Sequence, residues 1–267
     1  MTVPAWAGIA AAAVIAAAAA MASWVRRKGI FFVSSGFNSK MQSVANFAAW
    51  SNVFTMMTLY DYLPSQNAYK VRLLLNHLQL PYRTELVSIF EGAGQTPEFL
   101  AVNPSGAVPA LRLDDGRVLA ESNAILTFLA HGTRYLPSDS FAAAKVQQWM
   151  SFEQDYVLNI ASLRHWTMTG KLARRPEALV NMRRSGALKA LEILDHELAA
   201  RPFICGDAYT IADMSLFAYV HRADEADLPL QEFRQVCAWI DRVRSQPGFL
   251  DQHFPYSIDT HSSRELP

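Results

Sequence analysis

From residue 57 onward the pattern of apolar and polar positions switches between strand-like and helix-like stretches. "TLYDYL" (58–63) is a β-prone run, and the "AYKVRLLLNHLQL" that follows carries Val71, Leu74, Leu75 and Leu78 on one helical face. "PYRTELVSI" reads as a second strand and "FEGAGQ" as a polar loop. "TPEFLAVN" reads as a short helix that Thr96 can cap, with Pro97 in its first turn. "VPALRLDDGRVLAE" predicts a hairpin, with Ala110 to Leu113 and Arg117 to Leu119 around "DDG". "ESNAILTFLAHG" predicts a helix ending at Gly132. The order over 56–132 is therefore βαβ, short helix, ββα, followed by a linker, "TRYLPSDS".

Between 141 and 250 the pattern contains no strand. "AAAKVQQWMSFEQDYVLNIASLRHW", "PEALVNMRRSGALKALEILDHELAA", "TIADMSLFAYVHRA" and "LQEFRQVCAWIDRVRSQ" each read as one helix. "TIAD" has capping-box spacing with Asp213 in place of the commoner glutamate, and "MSLFAYV" behind it is apolar enough to be central to this unit. The fold class is α/β followed by all-α, with residues 251–267 a tail.

Residues 1–55 follow a different pattern. Val3 to Val25 carries no charge and as a helix would be about 34 Å long, enough to span a bilayer core. It is mostly alanine without leucine, which makes insertion marginal, and it lacks the charged start and cleavage site of a secretory signal. Two expectations stand. If 3–25 is retained in a membrane, Arg26 to Lys28 places the rest of the chain in the cytoplasm. Alternatively, residues 1–55 are no part of the working protein and the chain effectively starts at Met56 or Met57, with 29–55 a linker or translated upstream sequence.

Lys+Arg and Asp+Glu both number 24, so no global field recruits nucleic acid. Cys205 and Cys237 have neither CxxC nor metal-ligand spacing and read as buried thiols in a reducing compartment; no metal is expected.

"NPSGAVPAL" (103–111), "ESNAIL" (121–126), "TPEFLAVNP" just upstream and "TIADMSL" in the helical unit occur in one order and spacing that resembles the soluble glutathione transferases. The resemblance covers about 57–250. It implies a thioredoxin-like glutathione-binding domain at 56–132 and a helical domain at 141–250 carrying the electrophile site. Pro109 matches a proline preceded by a cis bond, with the Val108 backbone pairing to the cysteinyl residue of glutathione. Ser122 and the helix N-terminus behind it match the site of the γ-glutamyl carboxylate, and Glu121 that of the ammonium. Gln95 matches a position near the glycyl end. Read without the resemblance, "AVPA" is also a trans strand start, Ser122 a simple cap and Gln95 a solvated loop residue.

The same resemblance gives "LPSQNAYKVR" (63–72) its chemistry. A free thiol titrates near 8.5, and a hydroxyl donating to sulfur at a helix tip favours the thiolate. Ser65 matches the catalytic serine of the serine-type classes, and Asn67 a second donor in a bacterial subgroup that reduces disulfides. Tyr60 and Tyr62 are alternatives, although strand alternation points both the same way, into structure. With no cysteine in this turn, the attacking group is glutathione's own thiolate.

Tyr156, Arg164 and Trp166 are candidates for the electrophile site, or else core residues; His165 has no partner at ligand spacing and receives no catalytic role. The resemblance implies a cytoplasmic detoxifying homodimer that conjugates glutathione, its co-substrate, to a hydrophobic electrophile. A glutathione-dependent disulfide oxidoreductase using Ser65 with Asn67, and a non-catalytic binding or assembly module, are the alternatives.

Overall fold

A computed structural model of the chain describes residues 56–259 and 261. The alanine-rich stretch, its membrane-anchor expectation and the linker 29–55 lie outside the described residues. Among the described residues no helix is long and apolar enough to cross a membrane.

Four strands form one sheet in the order β2-β1-β3-β4: β1 Met57–Asp61, β2 Tyr82–Leu86, β3 Ala110–Arg112 and β4 Val118–Ala120. β2 runs parallel to β1 from Met57↔Tyr82 to Asp61↔Leu86, and β3 antiparallel from Thr58↔Arg112 to Tyr60↔Ala110. Pleating divides the central strand. Met57 and Leu59 enter the large core, while Tyr60, continued by Tyr62, enters a smaller cluster with Val87, Phe99, Val108 and Ala110. Both tyrosines are buried, as alternation predicts.

Helix α1 (Gln66–His77) connects β1 to β2, α2 (Pro97–Leu100) precedes β3, and α3 (Ser122–Ala130) closes the unit. Thr96 caps α2 by accepting from Phe99 N–H. α1 and α3 supply Leu73 to Leu75, Ile125, Leu126 and Leu129 to the large core. This is the thioredoxin-like arrangement, with the element order predicted from the pattern.

The helical unit contains α4 (Ser140–Phe152), α5 (Leu158–Met168), α6 (Glu177–Leu198), α7 (Ile211–Val220) and α8 (Arg234–Arg244). The stretch expected as one helix from 142 to 166 is instead interrupted by a π-helical turn at Glu153–Val157. In α7 every side chain but Tyr219 is buried. Asp213, fully buried, accepts at Oδ2 from Thr210 N–H (2.9 Å) and Oγ (3.1 Å), and at Oδ1 from Ile204 N–H (2.8 Å) and Trp239 Nε1–H (3.0 Å).

The linker "TRYLPSDS" is anchored: Tyr135 is buried and its carbonyl accepts from Ile211 N–H at 3.0 Å. One expectation needs correction. Both cysteines are free but half-buried rather than buried. The tail after α8 is docked on the first unit. Tyr69 Oη donates to the Leu250 carbonyl (2.8 Å), Ser88 Oγ to Asp259 (3.3 Å), and Phe254 lies against the Arg72 guanidinium (5.6 Å).

Candidate functional site

The turn from β1 into α1 is held from behind. Arg72, one and a half turns into α1, pairs with buried Asp61 at 2.5 Å and donates to the Leu63 carbonyl at 2.9 Å, while Ser65 N–H donates to the Tyr62 carbonyl at 2.7 Å. Ser65 is the N-cap of α1, with its Oγ accepting from Ala68 N–H at 3.2 Å. That bond uses a lone pair, so the hydroxyl proton remains available to donate at the helix tip.

Because α1 and α3 pack side by side, their first turns meet. Ser122, buried in the first turn of α3, donates to Asn67 Oδ1 at 3.5 Å, joining two motifs 55 residues apart. Glu121 before it is exposed and adopts φ 67°, a left-handed conformation that a glutamate takes only when its surroundings demand it. The Val108-Pro109 bond is cis. Val108 lies beyond the last β1–β3 pair, Tyr60↔Ala110, and therefore outside the ladder, beside Tyr60 and Tyr62.

Gln95 is exposed, at the end of a 3-10 turn, Ala93–Gln95. Its carboxamide lies against Gly106 of "NPSG", a loop braced by buried Asn103, which accepts from Ser105 N–H and donates to the Ala107 carbonyl at 2.7 Å. Gly106 has φ 67°, and a Cβ there would run into Gln95 Nε2 and come within 2.7 Å of the Gly94 carbonyl oxygen. Gly106→Ala is expected to cost about 1–3 kcal/mol, read as a lowered thermal midpoint. An unchanged midpoint would show that the loop relaxes freely.

The electrophile-site candidates separate. Arg164 is buried, pairs with Glu225 at 2.5 Å and faces the Tyr256 ring at 5.4 Å. Next to it His165 stacks on Phe90 (5.7 Å, 8° between planes) with Tyr256 at 5.6 Å, and Phe90 meets Tyr62 edge-on at 5.5 Å. This cluster therefore sits on the strand end that leads to Ser65. Burial, then the cations Lys171, Arg175 and Arg164, push His165 down to about 4, so it is a neutral ring at pH 7. Trp166 is half-buried against the core beneath Arg175. Tyr156, in the π-turn, stacks on Phe152 and lines an open cavity of about 470 Å³ between α4 and α6, a surface to which Arg164 and Phe90 do not contribute.

No motif marks Phe90 or Tyr256, nor Lys70, whose fully buried Nζ lies 3.4 Å from Ser122 Oγ. Lys70 carried a signal in being flanked by helix-face positions that all had to be inside. Among the described residues no cluster of three or more His, Cys, Asp or Glu side chains is placed to hold a metal ion.

Comparison with known proteins bears on the family and the fold. Residues 64–131 match the family described as Glutathione S-transferase, N-terminal domain, and residues 177–250 match Glutathione S-transferase, C-terminal domain. The chain is 30% identical over 202 residues to Glutathione S-transferase GstB of Escherichia coli K12, covering 72% of this chain and 95% of that protein. A glutathione S-transferase structure from Pseudomonas fluorescens Pf-5 superimposes with a TM-score of 0.71 at 39% identity, covering 73% of this chain and 98% of that one. A glutathione transferase family member from the same organism, solved with two glutathione molecules bound, gives 0.64 at 26% identity over 78% and 95% of the two chains. The chain belongs to the glutathione S-transferase family.

Proposed function

We propose that the chain binds glutathione along the edge defined by Ser65, Val108 and Ser122 and transfers its thiolate to a hydrophobic electrophile. The observation that carries this reading is the meeting of the first turns of α1 and α3 at Asn67 and Ser122, beside a strand end left outside the ladder at Val108. Two helix N-termini and the unladdered backbone at a strand end suit a tripeptide with a carboxylate at one end and a thiol in the middle. In this reading the γ-glutamyl carboxylate lies on Ser122 and the free amides of α3, with Glu121 taking the ammonium. The cysteinyl backbone pairs with Val108, and the glycyl end reaches toward Gln95. The sulfur then falls at the tip of α1, where Ser65 can donate to it. Asn67, turned to Ser122, supports the γ-glutamyl end rather than the sulfur.

The electrophile is placed over Phe90, His165 and Tyr256. With a chlorinated dinitrobenzene the thiolate sulfur bonds to the chlorine-bearing ring carbon, and the C–Cl bond breaks with its electron pair leaving as chloride. The relative crystallised with glutathione supports the ligand assignment.

Calorimetric titration with glutathione, followed by turnover of chlorodinitrobenzene and of a small hydroxyalkyl disulfide, tests this. Binding in the micromolar to millimolar range with faster turnover of the aryl chloride is expected. Faster disulfide reduction would transfer the assignment to a disulfide oxidoreductase, and no glutathione binding would leave a non-catalytic module.

A further inference from the structure

Lys70 is fully buried, and so is nearly all of its partner Glu153, whose Oε2 lies 3.0 Å from the Lys70 ammonium. A buried ion pair contributes little net stability, because desolvation consumes most of the Coulombic gain. Its placement points to another use. The ammonium touches Ser122 Oγ at 3.4 Å and lies 5.5 Å from the centre of the Tyr219 ring. Glu153 Oε2 also accepts from Asn123 Nδ2 (3.0 Å), next to Ser122 in the first turn of α3, and from Gln154 Nε2 (2.6 Å), while the Ser215 hydroxyl lies between it (3.2 Å) and Asn123 Oδ1 (2.8 Å). Both members of the pair meet the first turn of α3, but it is the ammonium that touches Ser122, while the carboxylate is met by the neutral donors Asn123 and Gln154. Glu153 also opens the π-helical turn, a distortion that recurs at functional sites.

The arrangement fixes the direction of the Ser122 hydroxyl. An ammonium can only donate, so it occupies an Oγ lone pair and turns the Ser122 proton outward, toward Asn67 and the surface where a ligand would lie. It also adds a charge to the partial positive charge of the helix N-terminus. Burial is the largest influence and lowers the ammonium's pKa overall, with Glu153 first and then Glu121 opposing that fall.

We propose that Lys70, held by Glu153, is the positioning residue for the γ-glutamyl end of glutathione: it orients Ser122 as a donor to the α-carboxylate and places positive charge behind it. This rests on the glutathione reading above. It also ties the site to the helical unit, since Lys70 and Ser122 belong to the first unit and Glu153 and Ser215 to the second.

The test compares glutathione with 4-aminobutanoyl-cysteinylglycine, which lacks only the γ-glutamyl α-carboxylate, by calorimetry on the full chain. The native protein is expected to bind glutathione more tightly. Lys70→Met is expected to weaken glutathione about 10- to 100-fold, the worth of a hydrogen bond to a charged group, and the analogue less than about threefold. Because Lys70→Met leaves Glu153 buried and uncompensated, the double variant Lys70→Met/Glu153→Gln, with no orphaned charge, is expected to show the same selective loss. Equal losses for the two ligands, or no loss, would overturn the positioning role. So would equal affinities in the native protein, a result that needs no variant. A native protein that binds neither ligand would overturn the glutathione reading first and this proposal with it.

Discussion

Ser65→Ala is expected to lower turnover of chlorodinitrobenzene by about 100-fold while leaving glutathione affinity nearly unchanged, the loss expected on removing one preorganised donor to a developing or stabilised anion. Affinity is spared because the γ-glutamyl, cysteinyl-backbone and glycyl contacts assigned to Ser122, Glu121, Val108 and Gln95 all remain. Ser65 has a second task that must be separated from the first. It caps α1 through Ala68 N–H, and a serine cap replaced by alanine costs about 1 kcal/mol of stability. Ser65→Gly removes the hydroxyl at a cap position where glycine costs only a few tenths of a kcal/mol. If the hydroxyl acts on sulfur, both variants lose turnover equally and differ in thermal midpoint. If the loss follows the midpoint instead, Ser65 is only a cap.

The largest effect on stability is expected at Asp213, remote from the site. Its carboxylate accepts from two backbone N–H groups, the Thr210 hydroxyl and the Trp239 indole, all inside the core of the helical unit. Burial pushes this carboxyl's pKa upward overall, and the four donors oppose that rise. Asp213→Ala would strand those donors without water, at a cost of about 3–5 kcal/mol and a fall in thermal midpoint on the order of 10 °C. Asp213→Asn keeps one acceptor oxygen but turns a donor toward the other pair, and is expected to fall between the two. A loss below about 1 kcal/mol for the alanine variant in urea unfolding would show that the cap region repacks around the gap.

Local pattern foretold the elements whose geometry is local. Period-two alternation assigned Tyr60 and Tyr62 to one buried face, "TIAD" marked the start of α7, and "DDG" marked the β3–β4 hairpin. The cis bond at Val108-Pro109 was legible only through the motif, since no local propensity distinguishes a cis from a trans X-Pro strand start. What stayed hidden depends on contacts between segments distant in sequence. The π-turn at Glu153 sits inside an unbroken helical period, and the Lys70 that Glu153 meets is 83 residues away in sequence. Lys70 stands beside inward-facing positions of α1, but its burial is completed only by Ser122, Glu153 and Tyr219 from α3, the π-turn and α7. Tyr256 belongs to a segment without periodicity, and only the docking of the tail puts it beside Phe90 and His165. Tyr156 and Arg164, eight residues apart on one predicted helix, do not share a site: Tyr156 lines the cavity between α4 and α6, and Arg164 is buried against Glu225 and Tyr256.

The central claim is that the tip of α1 ionises a glutathione thiol. Ultraviolet titration of the bound thiolate tests it most directly. The native protein is expected to hold that thiol well below the ordinary value of about 8.5, and Ser65→Gly to return it toward that value with glutathione still bound. A bound thiol that titrates at its free value in the native protein, or at the same depressed value in both proteins, would contradict the claim.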